Sequence, residues 1–160
     1  MAAYSSTTVP VERSQAEIRK LLGLHGAQRF AFGEETDDAG VRWAAVTFTH
    51  GGLVVRMRVP HKPVDERAIR SKVQRARTKT FEDFEAEMVE QEARRIWRVM
   101  AWNLKARLVS VEEGVETFAE AFLAHLVNPQ TGQTVYEDLA DTGIVELGQP
   151  IAGFLEAPRA

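Results

Sequence analysis

The residues of this chain best suited to chemistry are its arginines. Arg56 and Arg58 alternate in a stretch with strand character, so both guanidinium groups leave one face of a sheet. From Arg56 to Lys79 there are nine basic residues against two acidic ones, Asp65 and Glu66, and Arg67 and Arg70 lie inside that run. Arg94, Arg95 and Arg98 stand together further on. A guanidinium is planar and can donate two parallel hydrogen bonds to a phosphate. The expected ligand-binding set is therefore Arg56, Arg58, Arg67, Arg70, Arg94, Arg95 and Arg98. Trp43, Trp97 and Trp102 offer flat faces for a base, a contact worth about 1–3 kcal/mol per base where it forms. Trp97 falls on an apolar stripe and reads as core. Trp102 lies off the stripe and reads as a contact residue or a subunit-interface anchor.

The formal net charge of −3, from 20 basic and 23 acidic residues, confines anion binding to local clusters rather than bulk attraction. Other chemistries find less support. With no cysteine there is no disulfide, thiol nucleophile or thiolate metal site. His25, His50, His61 and His125 fall at no metal-binding spacing and read as surface residues, although His50 and His61 could approach across a hairpin end. The phosphate-cradling and nucleophile-elbow glycine motifs are absent, so no cofactor is expected. Adjacent carboxylates such as Glu34/Glu35, Asp37/Asp38, Glu112/Glu113 and Glu137/Asp138 diverge, whereas acid–base or metal work needs carboxylates that converge. No catalytic residue and no metal ligand is expected.

The elements that must position these side chains follow from periodicity. Thr80 to Val111 is free of proline and glycine. Its apolar residues Val89, Ala93, Ile96, Trp97, Met100, Leu104, Leu108 and Val111 recur every three or four positions, which predicts one long helix. Thr80 and Asp83 form a capping box at its start, and Gly114 is a natural stop. Its acidic residues come first and its basic ones last. That order complements the helix dipole, each well-placed charge contributing about 0.3–1 kcal/mol. Ser14 with Glu17 predicts a capping box opening a helix through about Leu24. Arg29–Glu34, Val41–Thr49 and Leu53–Val59 read as strands joined by Asp37-Asp38-Ala39-Gly40 and His50-Gly51-Gly52, turns short enough to require an antiparallel meander. Val64 to Thr78 has partial helical spacing. Thr117 with Glu120 and Thr134 with Glu137 open two short helices.

Together these predict an α+β fold: an N-terminal helix, a three-stranded antiparallel meander, one long helix packed on it, then one or two short C-terminal helices and a tail. Residues 1–10 read as a flexible arm, 11–142 as a single domain with a basic, partly ordered connection over 60–79, and 143–160 as a C-terminal tail. No apolar run nears the roughly 18 residues that span a bilayer. The N-terminus also lacks the pattern of a signal peptide, so no membrane partner and a cytoplasmic location are expected.

The stretches Glu92-Ala93-Arg94-Arg95-Ile96-Trp97-Arg98, Asn103 to Leu108, Glu112 to Phe118 and Phe122-Leu123-Ala124-His125 resemble a family of small bacteriophage and prophage proteins. Val11-Glu12-Arg13-Ser14, His25-Gly26-Ala27, Phe30-Ala31-Phe32-Gly33 and Pro129 to Tyr136 match it too, so the resemblance covers about two-thirds of the chain. The family has no assigned activity. The resemblance implies expression inside an infected bacterial cell and transfers no catalytic residue. Two function classes follow. The first is a non-enzymatic binder of a phosphate-bearing ligand, single-stranded nucleic acid or a nucleotide. The second is a helical interaction module that forms a homo-oligomer or binds a host protein, for example in counter-defence. A metal-dependent hydrolase ranks below both.

Overall fold

Residues 3–143 are described by the computed structural model. Apart from Gly143, the C-terminal tail expected from the sequence lies outside them. The order is helix α1 (Val11–Leu24), strands β1 (Arg29–Thr36), β2 (Arg42–His50) and β3 (Leu53–Pro60), then helices α2 (Glu66–Arg75), α3 (Phe81–Glu112), α4 (Phe118–Phe122) and α5 (Val135–Asp141), with a 3-10 turn at Leu123–His125. The strands form an antiparallel sheet in the order β1-β2-β3, the meander that the short turns require. Gly51 and Gly52 both take positive φ, 55° and 82°, which lets two residues close the β2–β3 hairpin.

One face of the sheet is apolar because alternate residues share a face. Ala44, Val46 and Phe48 of β2 and Val55 and Met57 of β3 turn inward and are buried, with Phe32 of β1 packed beside them. α3 lays Ile96, Trp97, Met100, Leu104 and Leu108 against them. α1 adds Ile18 and Leu22, and α4 adds Ala121 and Phe122. The aromatic contacts are edge-on: Phe32 meets Trp97 at 5.6 Å and 85°, and Phe48 meets Phe122 at 5.7 Å and 87°. The core is thus a single sandwich of sheet against helices.

The Thr80–Asp83 capping box is present, as are those of Thr117–Glu120 and Thr134–Glu137. The box expected at Ser14 is not. α1 begins at Val11 with Pro10 before it, Ser14 is wholly buried inside the helix, and its hydroxyl has no hydrogen-bond partner. Val11 packs against the core, and that burial draws the helix one turn earlier than its polar signal. The expected surface histidines also differ. The His61 side chain is only 6% exposed. His50 stacks on Phe118 at 4.0 Å. His50 and His61 flank opposite ends of β3, so they do not approach. The basic connection carries α2, whose Ile69 is fully buried. The N-terminal arm touches α3: the Gln91 side-chain amide donates to the carbonyls of Ser5 and Thr7.

Leu104 sits at the centre of this sandwich, fully buried. Leu104→Ala is expected to lower unfolding free energy by about 2–5 kcal/mol. Leu24→Ala, at a residue 71% exposed, is expected to change it by less than about 0.5 kcal/mol. Urea titrations of both variants check the pair.

Candidate ligand-binding site

Because Val55 and Met57 turn into the core, Arg56 and Arg58 must leave the opposite face of β3. Trp43 lies on that same outer face. Asp37 fixes the tryptophan. One carboxylate oxygen accepts the N–H groups of Ala39 and Val41 and so shapes the β1–β2 turn, while the other accepts the Trp43 indole N–H at 2.9 Å. That indole bond leads the causes that hold the Asp37 carboxyl below its ordinary range. The Arg58 guanidinium lies 4.9 Å from the Trp43 ring centre, a cation–π contact.

The third wall is α5, brought here by backbone pairing. The Val127 N–H donates to the Val54 carbonyl, and the Val135 N–H to that of Leu126. These bonds tie the segment before α5 to the edge of β3. Thr134 caps α5 and Glu137 closes the box, its Oε2 accepting the Thr134 N–H at 2.7 Å. The same carboxylate receives both arginines: Arg56 donates to Oε2 at 2.8 Å and Arg58 donates to Oε1. Partial burial works to raise the Glu137 pKa. The two Thr134 bonds, the Arg56 bond and the Arg58 charge outweigh it and bring the pKa down to about 2. The Arg56 Nε is buried without a partner. Trp43, Arg56, Arg58, His125, Thr134, Tyr136 and Glu137 line a concavity of about 340 Å³. Burial, followed by the positive charge of Arg107, pushes the His125 pKa down, which favours the neutral ring.

The other expected site residues lie elsewhere. α3 packs on the inner face of the sheet, so Arg94, Arg95 and Arg98 do not join Arg56 and Arg58. Arg94 pairs with Glu90 one turn back. Arg95 makes a two-pronged contact with Glu92, both bonds 2.7 Å. Arg98 reaches across to Glu17 of α1 at 2.5 Å. On α2, Arg70 pairs with Glu66 at 3.4 Å and lies over Phe81. Arg67 is exposed and, among the described residues, has no carboxylate partner. The seven arginines therefore do not form one surface. Six meet carboxylates: Glu137 receives the two on β3, and the other four find an acid one turn away or, for Arg98, on the packed neighbour α1. Trp102 is half exposed and stacks with Tyr4, their ring centres 6.3 Å apart.

Spacing gave Glu137 only its capping role, since its arginine partners lie about eighty positions earlier. Asp37 was legible only as a turn former, and Tyr136 and His125 carried no signal. Among the described residues no three His, Cys, Asp or Glu gather to hold a metal ion, and no helix is long and apolar enough to cross a membrane. No family model, curated protein or solved structure matches this chain.

The low Glu137 pKa has a consequence for stability. The carboxyl sits at about 2 in the fold against an ordinary 4.5. Its ionised form therefore stabilises the fold above pH 4.5, and that contribution fades as the pH falls from 4.5 through 2. Glu137→Gln is expected to cost about 1.5–3 kcal/mol at neutral pH, the range for hydrogen bonds to a charged group. It is also expected to flatten the fall of stability across that acid window. Urea midpoints of both proteins across the window check both statements.

Proposed function

We propose that this is a non-enzymatic binding protein for a phosphate-bearing ligand, single-stranded nucleic acid or a nucleotide, with the site contracted to Arg56, Arg58 and Trp43. The observation that supports this reading is the convergence of two guanidinium groups on one anionic position beside an aromatic face. Glu137 occupies that position as a resident carboxylate. A nucleotide's terminal phosphate carries more charge and more acceptor oxygens than a carboxylate, and a backbone phosphodiester matches the carboxylate in both, so either can compete for the same fork. The unpartnered Arg56 Nε is a further donor there. A base attached to the phosphate would find the Trp43 ring next to it. The phage-type setting implied by the sequence resemblance suits an accessory protein of this kind.

Fluorescence anisotropy with a labelled oligothymidine, and competition by nucleotides, tests the reading. Binding is expected to weaken steeply from low to moderate salt, because phosphate contacts release counterions. Removing the internal competitor with Glu137→Gln is expected to tighten binding about tenfold, and Arg56→Ala/Arg58→Ala to abolish it. Glu137→Gln binding no tighter than wild type, or flat binding across the salt range, would sink the proposal.

The second reading, an interaction module that forms a homo-oligomer or binds a host protein, draws on Trp102. Half of this large side chain faces solvent on the helix that anchors the core, stacked on Tyr4 with Lys105 over its ring. Tryptophan is enriched among residues that dominate binding energy at interfaces. If this reading holds, Trp102→Ala lowers the mass seen by light scattering or abolishes capture of a host partner, with the melting temperature little changed.

A further inference from the structure

The two edges of the sheet are treated differently. β3 is covered at its start, where Val55 bridges to Leu126 and the Val127 N–H donates to the Val54 carbonyl. Among the described residues β1 is left open along its whole length, with seven of its eight residues exposed. It carries neither the proline nor the lysine with which proteins commonly blunt such an edge.

The phase of its hydrogen bonds is fixed. The Asp37 N–H donates to Val41 at 3.0 Å, and the β1–β2 register runs from Arg29↔Thr49 to Thr36↔Arg42. Odd-numbered residues of β1 therefore turn their N–H and C=O groups toward β2. The even ones, Phe30, Phe32, Glu34 and Thr36, turn theirs outward. The first three of these are symmetric about Phe32. Beside the edge runs an open groove of about 570 Å³, lined by Gln15, Arg19 and Trp97 along with β1 itself.

From this edge we infer that β1 pairs antiparallel with β1 of a second copy of the chain, about a two-fold axis through Phe32. Charge within the strand selects this occupant. β1 begins with Arg29 and ends with Glu34-Glu35-Thr36. Antiparallel pairing centred on Phe32 sets Arg29 opposite Glu35 of the second copy at both ends. It also sets Phe30 opposite Glu34, Ala31 opposite Gly33, and Phe32 opposite its own copy. Phe30, Phe32 and Glu34 of each strand are then satisfied, giving a continuous six-stranded sheet. Parallel pairing would put like charges side by side, which is destabilising. Glu34 is paired with Arg42 at 3.2 Å, so it brings no unpaired charge to the groove. This surface adjoins the Arg56/Arg58 concavity at Glu35, which lies 3.8 Å from Arg58.

Light scattering and sedimentation of the full chain are expected to give twice its 17.9 kDa mass. Arg29→Glu replaces two attractive pairs with two repulsive ones and is expected to weaken dimerisation about tenfold or more. Trp102→Ala is expected to leave it unchanged. Register is read by crosslinking. Ala31 and Gly33 of opposite copies would be a non-hydrogen-bonded pair with Cα atoms about 4.5 Å apart, within disulfide range. A Cβ added at Gly33 meets nothing within 4 Å, and the chain has no cysteine of its own. Ala31→Cys/Gly33→Cys should therefore yield a covalent dimer on oxidation. A wild-type monomer even at about 1 mM would overturn the inference. So would a dimer lost on Trp102→Ala, or one that Arg29→Glu leaves intact and the cysteine pair fails to crosslink.

Discussion

The meander cannot exist without α3. Three strands expose one continuous apolar face, and a sheet that small is marginal in water unless something covers it. α3 supplies the cover with a single stripe, Ile96, Trp97, Met100, Leu104 and Leu108, laid along Ala44, Val46, Phe48, Val55 and Met57. Everything else is placed relative to that contact. α1 and α4 fill the space on either side of the stripe, adding Ile18 and Leu22, Ala121 and Phe122. The direction in which Arg56 and Arg58 point is a by-product, since alternation leaves them no other face once Val55 and Met57 are committed inward.

Charge then organises what the apolar contact leaves outside. The chain is nearly neutral, and its cations are set against its acids at short range. Arg95 holds Glu92, which also receives the Lys62 N–H. Burial opposes ionisation of Glu92, but these bonds outweigh it and keep the carboxyl below its ordinary range. Arg98 clasps Glu17 and so ties α3 to α1. Exposed pairs such as Arg94–Glu90 or Lys79–Glu87 contribute little, about 0–1 kcal/mol each. Their larger effect is to remove free cations from the surface. The Arg56–Arg58–Glu137 cluster differs in kind, because two cations converge on one acid, with Glu35 3.8 Å from Arg58 as a second, looser partner.

The sheet is asymmetric. On the β3 side Leu126 and Val127 pair with the start of the strand at Val54 and Val55, and that pairing also delivers α5 to the outer face. The candidate ligand concavity is therefore a consequence of how one edge was closed. On the β1 side nothing of the kind happens within the described residues. β1 also keeps its smallest outward side chains, Ala31 and Gly33, at mid-strand, which leaves its outer face flat.

Periodicity and capping chemistry were enough to read the α+β class, the meander, the long helix from Thr80 and the two short helices at Thr117 and Thr134. Those signals are local, and the tertiary structure agreed with them. Ser14 shows the limit, because a polar cap pattern was overridden by the burial of Val11 one turn earlier. The site shows it more fully. Sequence identified the arginines that could bind an anion, yet could not say which would be taken up by acids. That depends on whether a carboxylate 81 positions away arrives on the same face, as Glu137 does for Arg56 and Glu17 for Arg98. Spacing along a chain fixes which side of an element a residue occupies. Only the packing of elements decides what it meets there, because the apolar contacts that set that packing are indifferent to the charges they bring together.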